Sequence, residues 1–155
     1  MPLQLRPLRP QDSAAAARLF FDAVHQGAAD VYSEQERIAW AGHKPDPHVW
    51  QGRFDGVNGV VAERDGVMLG FMTLDDGGSI DLAFVAPDVM GQGVGRLLYE
   101  AIERQARAWG IRRLTTQASL KAKPFFARMG WQVDRPQSVM RRGTALCNFW
   151  MSKTL

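Results

Sequence analysis

Apolar and polar residues alternate with two different periods near the start of the chain. Over residues 3–8 the period is two, which predicts a β-strand. In the segment QDSAAAARLFFDAVHQG, residues 11–27, apolar residues recur every three or four positions, which predicts an amphipathic helix. Asp12 or Ser13 is suited to cap this helix, and Gly27 is suited to end it.

Two cap signals predict short helices in the next segment. Ser33 is followed three residues later by Glu36, the spacing of a capping box, and this predicts a helix over 33–41. In KPDPHVWQGRF an aspartate precedes a proline, which favours the start of a helix over 47–54.

The middle of the chain is typical of an antiparallel meander. Strands are predicted over 58–64, 67–74 and 79–86, with turns at Asp65-Gly66 and Asp75–Gly78, because Asp-Gly and Gly-Gly between apolar runs favour hairpins. The remaining pattern predicts a helix over 93–109, a strand over 111–118, a helix over 120–130, a strand from Trp131 and a hairpin over 137–155 that turns at Arg142-Gly143. These elements predict a single α+β domain, residues 1–155, with a mixed, mostly antiparallel central sheet and flanking helices.

The composition excludes several classes of protein. With 155 residues, 46% apolar and 23% charged, the chain is expected to bury one ordinary core. The formal net charge of +3 comes from interspersed residues and does not favour nucleic acid. No apolar run approaches the roughly 20 residues that cross a bilayer, and the first residues lack the apolar region of a signal peptide.

Cys147 is the single cysteine, so an intrachain disulfide is excluded, which fits a reducing compartment. We therefore expect a cytoplasmic protein that does not bind membranes. Because apolar residues alternate around Cys147, we expect its side chain in the core.

A glycine-rich turn follows the meander, with Gly91, Gly93 and Gly95 at alternate positions before the long helix. The spacing does not fit a dinucleotide fingerprint or a Walker P-loop. A strand, a glycine turn and a helix N-terminus nevertheless suit a phosphate group, because free N–H groups converge there and glycine admits an anion closely. On the turn alone, a plain strand-to-helix connection fits equally well.

Two segments, VAPDVMGQGVGRLL and AKPFFARMGW, resemble motifs of the Gcn5-related N-acetyltransferase (GNAT) family. The family's acetyl-CoA signature, Arg or Gln, two residues, Gly, one residue, Gly or Ala, aligns with residues 90–95. The second segment aligns with the family pattern Ala-x-x-Phe-Tyr-x-x-x-Gly-Phe, and the element order is also similar. The finer likeness is to a YafP-like group of bacterial acetyltransferases.

The resemblance implies an acetyl-CoA-dependent N-acetyltransferase without a metal. The acceptor would be a primary amine of an unidentified small molecule, peptide or protein, which attacks the thioester directly. The pyrophosphate would lie on the glycine turn, and the pantetheine arm would pair with the strand near Phe84. The residues implied for acetyl-CoA are Phe84, Val85, Gly91, Gln92, Gly93, Val94, Gly95, Arg96, Ser119, Phe125 and Phe126.

Three positions depart from the family pattern. Met90 stands where Arg or Gln is usual, so a polar contact to the anion is missing. Phe126 replaces the tyrosine that usually protonates the thiolate, and Ser119 replaces a frequent asparagine and is suited to cap the next helix. Because phenylalanine has no proton to give, the alternative function is a catalytically weak CoA-binding sensor or interaction module.

For the general base the sequence favours Asp81, beside the expected thioester, although a hairpin or cap role is also open. Glu63 and Asp75 are poorer candidates, and His43 and His48 are expected beside the acceptor cleft.

The variable segments, residues 27–56 and the last hairpin, are expected to form the acceptor pocket. Tyr32, Trp40 and Trp50 are candidates to line it, with core packing as the alternative. The sequence leaves the acceptor and a homodimer undecided.

Overall fold

The structure is a computed structural model that describes residues 2–155. Its strands are β1 (Gln4–Pro7), β2 (Asn58–Arg64), β3 (Val67–Leu74), β4 (Ser79–Ile80), β5 (Ala83–Val85), β6 (Arg113–Ser119), β7 (Gln132–Arg141) and β8 (Thr144–Thr154). Its helices are α1 (Ser13–Asp22), α2 (Glu34–Ala41), α3 (Pro47–Trp50), α4 (Val94–Ala108) and α5 (Lys123–Arg128). A π-helical turn, Ala23–Gly27, extends α1.

The strands form two four-stranded sheets, with the orders β1-β2-β3-β5 and β4-β6-β8-β7. Every pairing is antiparallel except that of β4 with β6, which is parallel. The predicted mixed, mostly antiparallel α+β architecture is therefore confirmed.

The predicted continuous strand over 79–86 is wrong, because the chain leaves one sheet for the other at Asp81-Leu82. Ile80 of β4 pairs with Thr116 of β6, whereas Ala83 of β5 pairs with Met72 of β3. After this crossing β5 has no strand beside it on the β6 side among residues 2–155. A gap therefore opens between β5 and the second half of β6.

Two other predicted boundaries differ from the structure. The helix predicted over 47–54 ends at Trp50, and the chain continues in turns in which Gly52 and Gly56 have φ values of 79° and 71°. A helix cannot continue through this left-handed backbone. The last strands are longer than predicted, because β7 runs unbroken through Pro136 with a register shift between Val133 and Arg135. Cys147 is exposed and not in the core, since Leu146 is the inward residue beside it.

Helix α4 covers the first sheet and supplies a large part of the core. Val94, Leu98, Tyr99 and Ile102 are buried, whereas Leu97 is 42% exposed. Gly70 of β3 allows this close packing, because a Cβ there would lie 2.9 Å from Leu98 Cδ1. The start of α4 is thereby held against the sheet at the end of β5.

Candidate active site

Two cavities meet at the gap between β5 and β6. The first, here called the glycine cleft, has a volume of about 710 Å³ and lies between the glycine turn, β5 and α5. The second, the hairpin pocket, has a volume of about 390 Å³ and lies between α2, α3, the β4–β5 crossing and the β7–β8 hairpin. The residues that line both cavities are called the junction: Trp40, Ala83, Phe84, Ser119, Ala122 and Phe126.

The glycine turn presents an open backbone at one end of the glycine cleft. Gly91 and Gly93 have φ values of 79° and 88°, and a Cβ at either position would meet nothing within 4 Å. The turn leads directly into α4, whose first N–H groups have no partner within the helix and carry the positive end of its dipole. Gly95, two residues after Gly93, packs against the Phe125 ring, and a Cβ added at Gly95 would lie 3.2 Å from Phe125 Cε1. The turn can therefore accept an anionic group on its backbone.

The side chains of three residues expected to bind acetyl-CoA, Gln92, Val94 and Arg96, have different surroundings. Val94 is buried in the core, so it would serve a ligand through its backbone N–H. The Gln92 side chain donates to Asp88 O at 3.4 Å, and its backbone N–H donates to Val89 O at 3.3 Å. Arg96 lines the glycine cleft, and its Nε donates to Glu100 at 2.8 Å.

Strand β5 presents backbone groups to the gap. Ala86 N donates to Leu69 O at 2.8 Å and Thr73 N donates to Leu82 O at 2.9 Å. Because hydrogen-bonded and non-hydrogen-bonded pairs alternate in antiparallel strands, Ala83 and Val85 point their N–H and C=O groups away from β3. Val85 lies in regular register with Gly70, so β5 has no bulge there, and the N–H of Val85 faces the gap.

Met90 lines the glycine cleft, but its side chain packs towards the π-helical turn that extends α1. A Cβ on Gly27 would lie only 3.1 Å from Met90 Sδ. Met90 also contacts the apolar cluster under α1. The side chain therefore fills space between two segments, where Arg or Gln would supply a polar group.

The start of α5 forms the wall of the junction. The prediction that Ser119 caps this helix is wrong, because Ala122 is the N-cap residue of α5. Ser119 Oγ instead accepts a hydrogen bond from Ala122 N at 3.0 Å and closes the turn before the helix. Phe125 lines the glycine cleft, and Phe126 lines both cavities although it is only 1% exposed. No hydroxyl stands at position 126 to act as an acid.

Tyr99 does not replace the missing tyrosine. Its hydroxyl donates to Glu103 at 2.7 Å and accepts from Trp131 Nε1 at 2.9 Å, away from both cavities. Burial, reinforced by the hydrogen bond to Glu103, raises the pKa of Tyr99 well above its usual value. Tyr99 therefore holds α4 to the segment after α5.

Asp81 lies at the β4–β5 crossing and lines the hairpin pocket. Its side chain is 76% exposed, and Oδ2 lies 4.0 Å from Arg53 Nη2. The other carboxylates are occupied elsewhere: Glu63 accepts from Arg6 at 2.9 Å, and Asp75 Oδ1 accepts from Ser79 N at 2.8 Å.

Neither His43 nor His48 lines the hairpin pocket or the glycine cleft. Asp81 is thus the one predicted base that the structure brings to the pocket.

The aromatic candidates line the hairpin pocket and also pack in the core. Trp50 and Tyr32 are 4% exposed, and Tyr32 donates its hydroxyl to Cys147 O at 2.7 Å and accepts from Leu120 N at 2.9 Å. Burial raises the pKa of Tyr32, so this hydroxyl stays protonated as a link between β8 and the end of β6. These aromatic side chains therefore pack in the core and line the hairpin pocket at the same time.

Six polar residues of the hairpin pocket were not singled out from the sequence: Arg53, Ser79, Thr116, Gln117, Arg141 and Asn148. Asn148 lies opposite Ser119 across the β6–β8 pairing, and its Oδ1 is shielded from solvent with no hydrogen-bond partner. The sequence marks Asn148 only as a polar residue within a mostly apolar strand.

Residues 2–155 show neither a metal centre nor a membrane-spanning helix. No group of three or more His, Cys, Asp or Glu side chains is placed to hold a metal ion. No helix combines the length and the apolar character that crossing a membrane requires.

Comparison with known proteins identifies the family. The sequence profile of the acetyltransferase (GNAT) domain matches residues 28–154. The chain is 32% identical, over 96% of its length and 94% of the relative's, to the uncharacterized N-acetyltransferase YafP of Escherichia coli K12.

Two solved structures share the architecture. A GCN5-related N-acetyltransferase from Rhodopseudomonas palustris is 36% identical, with a TM-score of 0.91 that covers 100% of this chain and 97% of that one. The yncA protein of Salmonella typhimurium, solved with its cofactor acetyl-CoA, has a TM-score of 0.72 and 21% identity, covering 99% and 94%. Fold, paired cavities and sequence profile agree, and the chain belongs to the Gcn5-related N-acetyltransferase (GNAT) family of acetyltransferases.

Proposed function

We propose that this acetyltransferase binds acetyl-CoA in the glycine cleft and transfers its acetyl group to a primary amine that enters through the hairpin pocket. One observation carries the proposal. The outward backbone groups of Ala83 and Val85 lie between an open glycine turn and a second cavity. An extended amide-containing chain that is anionic at one end and reactive at the other fits this arrangement.

The backbone would bind most of acetyl-CoA. The backbone N–H groups from Gly93 to Arg96 would donate hydrogen bonds to the pyrophosphate at the start of α4, where the helix dipole favours negative charge. The outward N–H and C=O groups of β5 would pair with the amides of the pantetheine arm, as a neighbouring strand would. Since none of these contacts needs the side chain of residue 90, Met90 is compatible with binding.

The bound thioester supplies the acetyl group, whose carbonyl oxygen we assign to the outward N–H of Val85. A hydrogen bond there would stabilise the negative charge that develops on this oxygen. The amine nitrogen forms a bond to the acetyl carbon, the carbon–sulfur bond breaks, and its electron pair leaves with the CoA sulfur. Phe126 and Trp40 narrow the junction at this point.

The amine must arrive neutral and lose one further proton on forming the amide. An alkyl ammonium group has a pKa of about 10.4, so a base is needed near neutral pH. We assign this role to the Asp81 carboxylate, acting through water because the side chain is open to solvent. Without an acid at position 126, the CoA sulfur leaves as the thiolate, which a thiol pKa of about 8.5 permits, and takes its proton from water.

Two measurements test the proposal. Acetyl-CoA must raise the melting temperature of the protein, since a ligand that binds the native state stabilises it. Release of the CoA thiol must then depend on an amine. No melting shift at saturating acetyl-CoA would contradict the proposed site.

The alternative of a CoA-binding sensor is supported by Phe126 alone. It predicts the melting shift without thiol release for any amine in a broad panel. Homodimer formation and a cytoplasmic location stay predictions.

A further inference from the structure

The hairpin pocket carries a linear pattern on the inner face of the β7–β8 hairpin. Asn148, Leu146, Val139 and Arg141 all line the pocket. In the pairing of the two strands, Leu146 lies opposite Val139, Asn148 opposite Gln137, and Arg141 opposite Thr144. Because side chains alternate between the faces of a strand, these positions share one face. A hydrogen-bond acceptor, an apolar stretch and a cation therefore follow one another along the hairpin.

The acceptor end of this pattern lies at the junction. Asn148 is opposite Ser119, which lines both cavities. Its Oδ1 is buried without a hydrogen-bond partner, and an unsatisfied buried polar atom destabilises the protein unless a ligand supplies the missing donor. A primary amine that approaches the junction carries such a donor.

The middle of the pattern is apolar. Leu146 is 5% exposed and packs with Tyr32, Val139 and Trp40. This segment offers no charged group to a ligand, so it suits a methylene chain.

The far end of the pattern is a guanidinium group. Arg141 Nη1 donates only to the neighbouring Met140 O at 3.0 Å, and no carboxylate of residues 2–155 lies within 4.0 Å of it. The other two cations of the pocket contact groups that are distant in sequence. Arg142 donates to the backbone oxygens of Ala39 at 2.7 Å and Trp40 at 3.3 Å, and Arg53 lies 4.0 Å from Asp81. Arg141 is thus the pocket cation whose one acceptor is the carbonyl of its own chain neighbour.

We propose that the acceptor is an ω-amino carboxylate, with its amine at Asn148, its methylene chain on Leu146 and Val139, and its carboxylate on Arg141. The inference rests on the proposed function and specifies its substrate class. Four residues of strand separate Asn148 from the position opposite Arg141, about 14 Å of backbone at a rise of about 3.4 Å per residue. Part of this span is covered by the arginine side chain, so the amine and the carboxylate must be several methylenes apart. The α-amine of an amino acid lies too close to its carboxylate to reach both ends of this pattern.

The first test is binding without turnover. Isothermal titration calorimetry on the full chain saturated with CoA compares 6-aminohexanoate with hexylamine, hexanoate and glycine. We expect 6-aminohexanoate to bind at least tenfold more tightly than each of the other three. Equal binding of hexylamine would overturn the role of Arg141, and equal binding of glycine would overturn the spacing.

Variants separate the two ends of the ligand. Arg141→Gln should weaken 6-aminohexanoate about tenfold and leave hexylamine unchanged, whereas the control Arg104→Gln on the exposed face of α4 should change neither. Asn148→Leu should weaken both amines and leave hexanoate unchanged, and Asn148→Asp, which keeps an oxygen at this position, should restore amine binding. If Arg141→Gln leaves 6-aminohexanoate binding unchanged, the proposal is wrong.

Thiol release with the same compounds, together with a lysine-containing peptide, completes the test. Preference for the peptide over 6-aminohexanoate would overturn the proposal in favour of a protein acceptor. The melting shift with acetyl-CoA distinguishes a failure of the proposed function from a failure of the substrate inference. Its absence removes the proposed function, whereas a normal shift with no preference for ω-amino carboxylates removes this inference alone.

Discussion

Thr73 holds Leu82 by two hydrogen bonds at the point where the chain crosses between the sheets. Its N–H donates to Leu82 O at 2.9 Å, and its Oγ1 accepts from Leu82 N at 3.1 Å. A backbone carbonyl would normally take the second bond, so a side chain completes the ladder here. The crossing separates β5 from β6 and so creates both the gap and the junction.

Replacing Thr73 with valine should therefore destabilise the protein and weaken acetyl-CoA binding. Thr73 is 2% exposed, and Thr73→Val keeps the shape while leaving the buried Leu82 N–H without a partner. Such a group costs about 1–3 kcal/mol of the free energy of unfolding. Urea denaturation measures this loss, and Thr73→Ser, which keeps the hydroxyl, should recover most of it. Equal stability of the valine variant and the wild type would contradict the role of the hydroxyl.

Gly93 and Gly110 provide a matched pair for the glycine turn. Their φ values are 88° and 76°, and a Cβ at either position meets no atom within 4 Å. Alanine in this left-handed region costs about 1–2 kcal/mol, so Gly93→Ala and Gly110→Ala should lose similar stability. Only Gly93 lines the glycine cleft, and only its variant should weaken acetyl-CoA, by about tenfold or more in calorimetry. An equal effect on binding from both variants would indicate a loss of stability alone.

The sequence predicted those parts of the molecule whose signals are local. Ser33 and Glu36 form the predicted capping box, and Asp46 caps α3 as its position before Pro47 indicated. The hairpin turns at Arg142-Gly143, where both residues have positive φ. In each case the residues that determine the conformation are within a few positions of one another.

The crossing and the pocket could not be predicted in this way. The local pattern at Asp81-Leu82 predicts a continuous strand. The chain crosses between the sheets there because Leu82 is hydrogen-bonded to Thr73, which lies nine residues away in another strand. Arg141 and Asn148 become neighbours of one cavity only through the register of β7, β8 and β6. The positions of Asp81 and the glycine turn were found because the family resemblance supplied the tertiary context.

Removing the carboxylate of Asp81 tests its assignment as the base. Asp81→Asn should lower kcat/KM by about 10²–10⁴-fold, the usual contribution of general base catalysis. Stability should be unchanged, because the side chain is 76% exposed and its ion pair with Arg53 is 4.0 Å long. Asp76→Asn, in the exposed turn before β4, is the control. Thiol release by Asp81→Asn at the wild-type rate would show that another group or water removes the proton.

Phe126→Tyr tests whether the missing acid limits turnover. Phe126 lines the junction, so a hydroxyl added there should protonate the departing sulfur and raise kcat about 10²-fold near pH 7. Phe125→Tyr adds the same atom on the side that packs against Gly95 and should not raise kcat. Melting temperatures of both variants control for the cost of burying a hydroxyl. A folded Phe126→Tyr variant with unchanged kcat would show that proton supply is not limiting.

Glu103 should stabilise the protein in a pH-dependent manner. Burial alone would raise the pKa of this carboxyl, but hydrogen bonds from Lys153 and Tyr99, at 2.7 Å each, outweigh burial and hold its pKa below the usual value. A depressed native pKa contributes stability that is present above the unfolded value of about 4.3 and is lost as the pH falls through the native value. The stability that Glu103 contributes is therefore lost in acidic solution.

Glu103→Gln should accordingly lower the free energy of unfolding by about 1.5–3 kcal/mol at pH 7, because two bonds to the charged carboxylate are weakened. The difference should begin to shrink as the pH falls below about 4.3, and it should be smallest once Glu103 is protonated in the native state. Urea denaturation from pH 3 to pH 8 measures this change. Glu100→Gln breaks only an exposed pair with Arg96 on the same helix and should cost less than about 0.5 kcal/mol at every pH. A difference for Glu103→Gln that stays constant across the range would mean that packing, and not the charge of Glu103, holds α4 to β8.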